Sequence, residues 1–327
     1  MAIISVNIKR EPANYSIRVK RGLVTQGELP EGFVITDTNL IKEYSHLIKT
    51  DDLYVVESGE QSKTLETYKG IVKRIPKDVN KIISFGGGMV GDLAGFIAST
   101  FKRGVPLIQV PTTLLAMVDS SIGGKNGVNL GENKNQLGTI QQPMEVLSDP
   151  DFLKTLPAAE FINGIAEVIK YGVASDSSLL EMTQTRVFSD SPHLEDIIEK
   201  CCRIKGKVIE QDETGRGGYR NTLNLGHTLG HALEIPYKLS HGQAVAIGVL
   251  YELKFLDELG IPVNDKIQRV IKALDVNSLP SMLPEGADIE KIIELMKQDK
   301  KGALVFSFDN PRWSLKIKEE AIRAVFA

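Results

Sequence analysis

The sequence predicts an α/β domain followed by a mainly helical domain. In the first part, short runs rich in β-branched and aromatic residues alternate with helical patterns, an order typical of a mostly parallel sheet covered by helices. From about Pro150 onward, helical patterns dominate. The chain has 327 residues, more than one ordinary domain needs. We therefore predict an α/β domain over 1–148 and a mainly helical domain over 149–327.

The predicted strands are short β-rich segments of the first part. They are IISVNI (3–8), YSIRV (15–19), FVIT (33–36), LYVV (53–56), KIISF (81–85) and LIQV (107–110). Helical patterns lie between the later strands, in KTLETYKGIVKRI and after GGGMVGD. In the second part the predicted helices are AAEFINGIAEVIKYGV, HLEDIIEKCCRIKGKVIEQ, the histidine-rich segment, QAVAIGVLYELKFLDEL and DIEKIIELMKQ, and ALVFSF with WSLKI predicts a small hairpin.

Composition excludes several functional classes. A hydrophobic content of 42% with 25% charged residues is typical of a globular protein. The net charge of −3 gives no overall attraction to nucleic acid or to anionic membranes. No apolar run approaches the roughly 20 residues that span a bilayer, and MAIISVNIKREP lacks a signal-peptide core. The only cysteines, Cys201 and Cys202, are adjacent, so we expect reduced thiols in a cytoplasmic protein.

Three of the five histidines fall within one short segment, NLGHTLGHALEIPYKLSHGQAVAIG. His227 and His231 are spaced i, i+4, so on a helix they project from one face. His241 opens a further helical pattern, so two helix starts or faces can direct imidazoles to one point. Imidazole is a common zinc ligand, whereas an isolated histidine more often has only a structural hydrogen bond. The cluster predicts a metal site that a carboxylate from elsewhere would complete.

A glycine-rich turn follows the predicted strand KIISF, in GGGMVGDLAGF. Glycines between a strand and a helix start let backbone N–H groups approach a phosphate, although the spacing is not GxGxxG and packing is an alternative explanation. Glu60 and Lys63 follow LYVV, where ribose groups bind in such sheets. Lys125 and Lys134 lie among further glycines and favour anion binding.

Together, PTTLLAMVDSSIGGK, GIAEVIKYG, LNLGHTLGHALE and HGQAVAIG resemble the 3-dehydroquinate synthase family of sugar phosphate cyclases. The match runs in one order from about Val34 to the DKK at 299–301. More distantly, the chain resembles the glycerol dehydrogenase and iron-dependent alcohol dehydrogenase group. The resemblance implies a dinucleotide-binding α/β domain and a helical domain that binds metal and substrate.

The resemblance implies Glu167, His227 and His241 as metal ligands, with zinc the usual ion and cobalt an alternative. It implies a proton-handling role for His231, which replaces the ligand role that the i, i+4 spacing favours. The implied substrate contacts are Lys125, Asn135, Lys170, Lys205, Arg220, Asn224, His231 and Lys300, with Arg103 reaching the site of a neighbouring subunit in a homodimer. The implied NAD contacts are Asp37, Asn39, Ser58, Gly59, Glu60, Gln61, Ser62, Lys63, Gly88, Met89, Val90, Gly91, Asp92, Thr112, Thr113, Asp119, Lys125, Lys134, Phe152, Leu153, Lys154 and Thr155.

The implied activity is the shikimate-pathway conversion of 3-deoxy-D-arabino-heptulosonate 7-phosphate, a small anionic sugar phosphate, to 3-dehydroquinate and phosphate. It runs through transient oxidation by NAD, β-elimination of phosphate, re-reduction and aldol closure. The sequence departs from the family pattern at Asn126, Ala159 and Gln243, and DETGRGGYR is one residue longer than expected.

Three other functions stay open at this point. A cyclase that makes 2-deoxy-scyllo-inosose or a valiolone acts on the phosphate of a neutral sugar, which has no carboxylate. Such a substrate needs one anion pocket, whereas Lys205 and Arg220 supply a second. A non-catalytic NAD-binding protein has no need for the glutamate and three histidines. A metallohydrolase is disfavoured because the sequence has no HExxH motif.

Overall fold

The structure, a computed structural model, describes residues 14–131, 133–298 and 319–326. Its strands are β1 (Ser16–Val19), β2 (Phe33–Asp37), β3 (Leu53–Val56), β4 (Ile82–Gly86), β5 (Leu107–Pro111), β6 (Lys125–Leu130), β7 (Asn133–Ile140) and β8 (Glu145–Ser148). Its α-helices are α1 (Thr38–Tyr44), α2 (Leu65–Arg74), α3 (Gly88–Thr100), α4 (Ala158–Ala174), α5 (Ser177–Met182), α6 (Leu194–Gln211), α7 (His227–Glu234), α8 (His241–Glu258), α9 (Asn264–Val276), α10 (Ile289–Gln298) and α11 (Glu319–Phe326).

Six strands of the described chain form one parallel sheet in the order β1-β8-β5-β4-β2-β3. Every residue of β4 and β5 is buried, as expected of strands covered by helices on both faces. Because the strands are parallel, the segments that follow β2, β3, β4 and β5 meet at one edge of the sheet. This architecture confirms the predicted α/β fold.

The strands β6 and β7 form a separate antiparallel hairpin. The sequence does not predict it, because KNGVNL and NKNQLGTI are rich in Asn and Gly, which are depleted in strands. The hairpin packs on α3, where a Cβ on Gly95 would lie 2.8 Å from Cβ of Asn126. Close packing against α3 therefore compensates for weak strand propensity.

After β8 ends at Ser148, the described chain is helical. Both parts share a hydrophobic core that includes Val110 of β5, Ile169 of α4 and Leu250 of α8. None of the described helices is both long and apolar enough to span a bilayer. The boundary at 148/149 stays a prediction, and the predicted strand 3–8 and terminal hairpin lie outside the described residues.

Helices α7 and α8 meet at glycines. A Cβ on Gly248 would lie 1.9 Å from the carbonyl oxygen of Gly226, and one on Gly230 would lie 3.2 Å from that of Ala244. Gly226 also has φ +80°, a left-handed conformation that favours glycine. The two backbones therefore touch, and the first turns of both helices lie side by side.

Candidate active site

Glu167, His227 and His241, hereafter the ligand cluster, converge between α4, α7 and α8. Each offers one ligand atom, and these atoms lie within 4.8 Å of one another. His241 Nε2 is 3.2 Å and His227 Nε2 is 3.6 Å from the same oxygen, Glu167 Oε1. Both histidines are the first residues of their helices, so the expectation of two helix starts aimed at one point describes this geometry.

Burial and neighbouring charges set the protonation of each residue in the ligand cluster. Burial opposes ionisation of Glu167, but the Lys170 ammonium and the two imidazoles hold its pKa well below the ordinary value. Burial lowers the pKa of His227 to about 3, so its imidazole is neutral and has a free lone pair. Burial also disfavours charge on His241, yet the adjoining carboxylates of Glu167 and Glu234 raise its pKa to about 10.

The donor set fits zinc. Two imidazoles and one carboxylate are the ligands of a catalytic zinc site that keeps a further position for water or substrate. Glu167 Oε2 is buried and lies against Lys170 Nζ without an aligned hydrogen bond, so it has acceptor capacity to spare. His231 lies outside this group of described residues, although its ring centroid is 5.5 Å from that of His227.

Next to the ligand cluster, the half-buried Asp119 organises a polar network. Its Oδ1 accepts a hydrogen bond from Tyr171 at 2.5 Å and is 2.9 Å from Lys205 Nζ. Although burial opposes ionisation, the adjoining lysines Lys205 and Lys170 lower the pKa of Asp119. Burial lowers the pKa of Lys205, and Asp119 counteracts this effect. The network therefore holds two lysines, one from α4 and one from α6, near the ligand cluster.

Arg220 and Asn224 stand on the short helical segment Tyr219–Asn224 that leads into α7. The Arg220 guanidinium is buried and donates to the carbonyl oxygen of Gly123 at 3.1 Å. Asn224 donates to the carbonyl oxygen of Arg220 at 3.5 Å. Despite the extra residue before it, Arg220 thus belongs to the polar surroundings of Asp119, whose charge acts on it.

Lys125 and Asn135 of the hairpin line one cavity of about 430 Å³, together with Asp92, Asn126, Gly138, Thr139 and Ile140. Asn135 has φ +52°, unusual for a residue other than glycine, and its N–H donates to Asn129 Oδ1 at 2.8 Å. The cavity connects residues predicted for NAD with residues predicted for substrate.

The glycine turn before α3 leaves no room for extra side chains. A Cβ on Gly87 would lie 2.9 Å from Thr113 Cγ2, and one on Gly88 would lie 3.1 Å from Ser120 Oγ. Within the described part of the chain no side chain caps α3, so its first N–H groups are available to an anion. Ser120 Oγ is buried without a hydrogen-bond partner among the described residues. This combination fits a dinucleotide phosphate.

Helix α3 begins within the glycines, at Gly88, so Asp92 lies in its second turn and not in the first. Asp92 Oδ2 accepts from Lys63 Nζ at 2.6 Å, and Lys63 is itself buried. This ion pair joins the segment after β3 to α3. Both side chains are thereby fixed beside the glycine turn.

Other predicted NAD contacts lie along the same sheet edge. Asp37 ends β2, caps α1 through the N–H groups of Asn39 and Leu40, and accepts from Ser58 Oγ at 3.0 Å. Phe152 and Leu153 are about 1% exposed and pack in the core, so their side chains do not line an open cleft. The remaining predicted residues on this edge or just beyond it are Gly59, Glu60, Gln61, Ser62, Met89, Val90, Gly91, Thr112, Lys154 and Thr155.

Arg103 is not brought to this site within its own chain. It lies in the exposed turn Phe101–Arg103, with φ +68°, at the end of α3 opposite the glycine turn. Helix α3 has 13 residues, which is a length of about 20 Å. The predicted substrate residue Lys300 lies outside the described residues.

Two of the three departures from the family pattern have a structural role, and the third has none that the structure explains. Asn126 donates to the carbonyl oxygen of Gly124 at 3.0 Å and accepts from Thr139 at 2.7 Å, which fixes the hairpin. Gln243 forms a capping box with Ser240 and so fixes the start of α8 at His241. Ala159 is exposed in the first turn of α4, and nothing in the structure explains it.

Two side chains at the site were not predicted as functional residues. Glu234 is 3.6 Å from His241 and binds Lys134, and Tyr171 binds Asp119. Glu234 follows His227 by seven residues, so it lies on the same face of α7 two turns later. That spacing is the signal that points to Glu234. Nothing comparable marks Tyr171, because the contact depends on the fold.

Solved structures define the class of fold. The chain matches 2-epi-5-epi-valiolone synthase from Streptomyces hygroscopicus, solved with NAD+ and Zn2+, with a TM-score of 0.85, 22% identity and 98% coverage of both chains. A 2-deoxy-scyllo-inosose synthase complexed with carbaglucose-6-phosphate, NAD+ and Co2+ matches with a TM-score of 0.75, 24% identity and 89% and 88% coverage. An iron-containing alcohol dehydrogenase from Thermotoga maritima matches with a TM-score of 0.65, 15% identity and 95% and 96% coverage. The fold is that of sugar phosphate cyclases and related dehydrogenases.

Sequence comparisons define the family within this class. The model described as 3-dehydroquinate synthase N-terminal matches residues 53–163, and the C-terminal model matches residues 164–302. The 3-dehydroquinate synthases of Symbiobacterium thermophilum and Clostridium kluyveri are 38% and 39% identical, covering 88% and 93% of this chain and 88% and 90% of theirs. The chain therefore belongs to the 3-dehydroquinate synthase family. The family and the activity predicted from the sequence motifs are thereby confirmed.

Proposed function

We propose that the family reaction, from 3-deoxy-D-arabino-heptulosonate 7-phosphate to 3-dehydroquinate and phosphate, takes place between the ligand cluster and the glycine turn. The observation that carries this proposal is the convergence of the three ligand atoms within 4.8 Å beside buried lysines. The enzyme would be a carbon–oxygen lyase that depends on NAD and a divalent metal, with zinc favoured by the donor set.

Each bound group would supply one kind of chemistry. A zinc ion held by Glu167, His227 and His241 would supply Lewis acidity toward substrate hydroxyls. NAD at the carboxyl edge of the sheet, with phosphates against the N–H groups that begin α3, would supply a transient hydride acceptor. The overall reaction would involve no net oxidation.

The chain's own residues bind the substrate and move protons. Three cations, Lys170, Lys205 and Arg220, are buried. Glu167 and the partly exposed Asp119 face the lysines, and Asp119 and Asp212 act on Arg220. Lysine and arginine side chains form strong charge-assisted hydrogen bonds with carboxylates, and we assign Lys205 and Arg220 to the substrate carboxylate. We assign proton handling to His231, whose ring lies 5.5 Å from that of His227. Fixed charges of this kind stabilise developing anions without reorganisation.

We also propose a cytoplasmic homodimer. Both cysteines are free and buried, as expected for reduced thiols in the cytoplasm. Because Arg103 lies at the far end of α3 from its own site, it is available to complete the phosphate site of a partner subunit.

A substrate panel tests the proposed activity. Purified protein with NAD and zinc is expected to release phosphate from 3-deoxy-D-arabino-heptulosonate 7-phosphate and to form dehydroquinate, identified by mass spectrometry. Glucose 6-phosphate and sedoheptulose 7-phosphate, the substrates of the rival cyclases, should release none. Phosphate release from either of these sugars, with none from the heptulosonate, would place the chain with the rival cyclases.

A further inference from the structure

Glu234 contacts two residues that belong to different halves of the site. It is the last residue of α7, and its side chain is 18% exposed. Its Oε1 accepts from Lys134 Nζ at 2.5 Å, and its Oε2 lies 3.6 Å from His241 Nδ1. The carboxylate therefore lies between the β6–β7 hairpin and the ligand cluster.

His241 is held between two carboxylates by its two ring nitrogens. Its Nε2 faces Glu167 at 3.2 Å, inside the ligand cluster, and its Nδ1 faces Glu234, outside it. A histidine that binds a metal through one nitrogen usually directs its other N–H to a carboxylate, which fixes the tautomer and the ring orientation. Glu234 occupies the position of that carboxylate.

The position of Glu234 is unfavourable unless it has such partners. A carboxylate at the C-terminal end of a helix lies against the negative end of the helix dipole. Lys134 supplies a compensating positive charge on one side of the carboxylate, and His241 Nδ1 lies on the other side. An exposed ion pair with Lys134 alone would contribute little, because solvent screens it.

Lys134 extends this contact to the hairpin. It lies in β7 next to Asn135, and the hairpin carries six of the seven residues that line the cavity described above. The link from Lys134 through Glu234 to His241 joins the hairpin to the ligand cluster across about 100 residues of chain.

We propose that Glu234 is a positioning residue that orients His241 for the metal and holds the β6–β7 hairpin beside the ligand cluster. This inference rests on the proposed metal site. It assigns two functions to one carboxylate, and each function has its own measurement.

Cobalt binding tests the first function. The metal-stripped full-length protein is titrated with Co2+, and the visible absorption of the bound ion gives the affinity. Glu234→Gln should weaken binding by roughly ten- to a hundredfold, the usual effect of losing an outer-shell partner. Lys134→Met should stay within about threefold of wild type, because His241 keeps its carboxylate. Glu258→Gln is the matched control, the same change at the last residue of α8, and should have no effect.

Hydrogen–deuterium exchange of the same metal-stripped proteins tests the second function. Amides of β6 and β7 should exchange faster in both Glu234→Gln and Lys134→Met than in wild type or Glu258→Gln. Glu234→Asp keeps the charge but shortens the side chain, so it should give an intermediate cobalt affinity and serves if the glutamine variant fails to fold.

The outcomes separate this inference from the proposed function. Wild-type cobalt affinity in a folded Glu234→Gln protein would overturn the orienting function, and unchanged exchange in the hairpin would overturn the second. If the wild-type protein itself binds no cobalt, the proposed metal site fails, and the orienting function fails with it.

Discussion

The glycine turn before α3 and the ligand cluster between α4, α7 and α8 differ in the groups that form them: backbone in the first and side chains in the second. At the turn, backbone N–H groups face the predicted phosphate site, and Thr113 and Ser120 leave no room for a side chain at Gly87 or Gly88. In the ligand cluster, three side chains supply the ligand atoms, and their charges depend on burial and on Lys170. The glycine turn requires the absence of side-chain atoms, whereas the ligand cluster requires particular side-chain atoms.

This difference separates two ways in which the site can fail. A backbone site tolerates changes in neighbouring side chains but not an added methyl group, because the added atom displaces the ligand or the turn. A side-chain site loses its chemistry when one ligand is deleted, whatever the remaining volume. The variants below test this contrast in order of decreasing effect.

The largest effect is expected from the metal ligands. His227→Ala or His241→Ala should abolish both metal content and activity, because a three-ligand site rarely survives the loss of one. His231→Ala should retain the metal and lose roughly 10²–10⁴-fold in kcat, the range for general acid–base catalysis. Metal analysis and steady-state rates measure this, with the exposed His193→Ala as control. A metal-free His231→Ala protein would reverse the assignment.

Arg103 tests whether a second chain completes the site. We mix inactive Arg103→Ala and His227→Ala chains after reversible dissociation. A heterodimer would have one site with both lesions and one with neither, so activity should return to about a quarter of wild type under random pairing. If activity stays absent after subunit exchange is verified, Arg103 acts within its own chain or outside the site.

Lys205 tests the charge contribution next to the ligand cluster. A charge-assisted hydrogen bond contributes about 1.5–3 kcal/mol, so Lys205→Ala should lower kcat/KM by roughly ten- to a hundredfold. The loss should be much smaller for a substrate analogue without the carboxylate. Lys207→Ala, exposed on the same helix, is the control. Equal losses with both substrates would assign Lys205 to the phosphate or to the fold.

Gly87 tests the backbone half. Its φ of −74° is allowed for alanine, so Gly87→Ala changes only the space beside Thr113. Overpacking by one methyl group costs about 1–3 kcal/mol, so NAD affinity should fall by up to roughly a hundredfold while metal content is unchanged. Isothermal titration with NAD measures this. Gly206→Ala is the control, because its added Cβ meets no atom within 4 Å. Loss of metal in Gly87→Ala would contradict the proposed difference between the glycine turn and the ligand cluster.

The smallest effect is expected from the cysteines, which belong to neither half. Burial raises the pKa of Cys202 to about 12 and that of Cys201 well above its ordinary value. Only the thiolate is reactive, and at pH 8 both thiols stay protonated. Alkylation by iodoacetamide at pH 8 should therefore follow the rate of unfolding. Rapid modification of the native protein would contradict the buried placement.

The sequence predicts the strands β2 to β5 to within about one residue at each end, because dense β-branched runs bounded by polar residues have few alternatives. It also predicts that His241 opens a helix and that two helix starts or faces direct the imidazoles of this segment to one point. It does not predict β8 or α9, which the pattern leaves unassigned. The family resemblance, and not spacing, singled out Glu167 on α4.

The contacts that shape the site are less accessible to sequence reasoning. Glu234 reaches Lys134 across the boundary between the two predicted domains, and Tyr171 reaches Asp119 from a different helix. Such pairs depend on how the elements pack, and no local sequence pattern marks their residues as partners. Motifs therefore identify the ligands better than the residues that hold them.

The contact between Gly226 and Gly248 has a consequence for the dimensions of the metal site. Gly226 precedes His227, and Gly248 lies two turns after His241 on the same face of α8. Because the backbones touch at these glycines, the separation of the two imidazoles is set by residues that never contact the ion. Since the backbones of α7 and α8 are already in contact, the distance between them can increase but cannot decrease. Substitution of these glycines would therefore change the size of ion that the site accepts, even though every ligand residue stays the same.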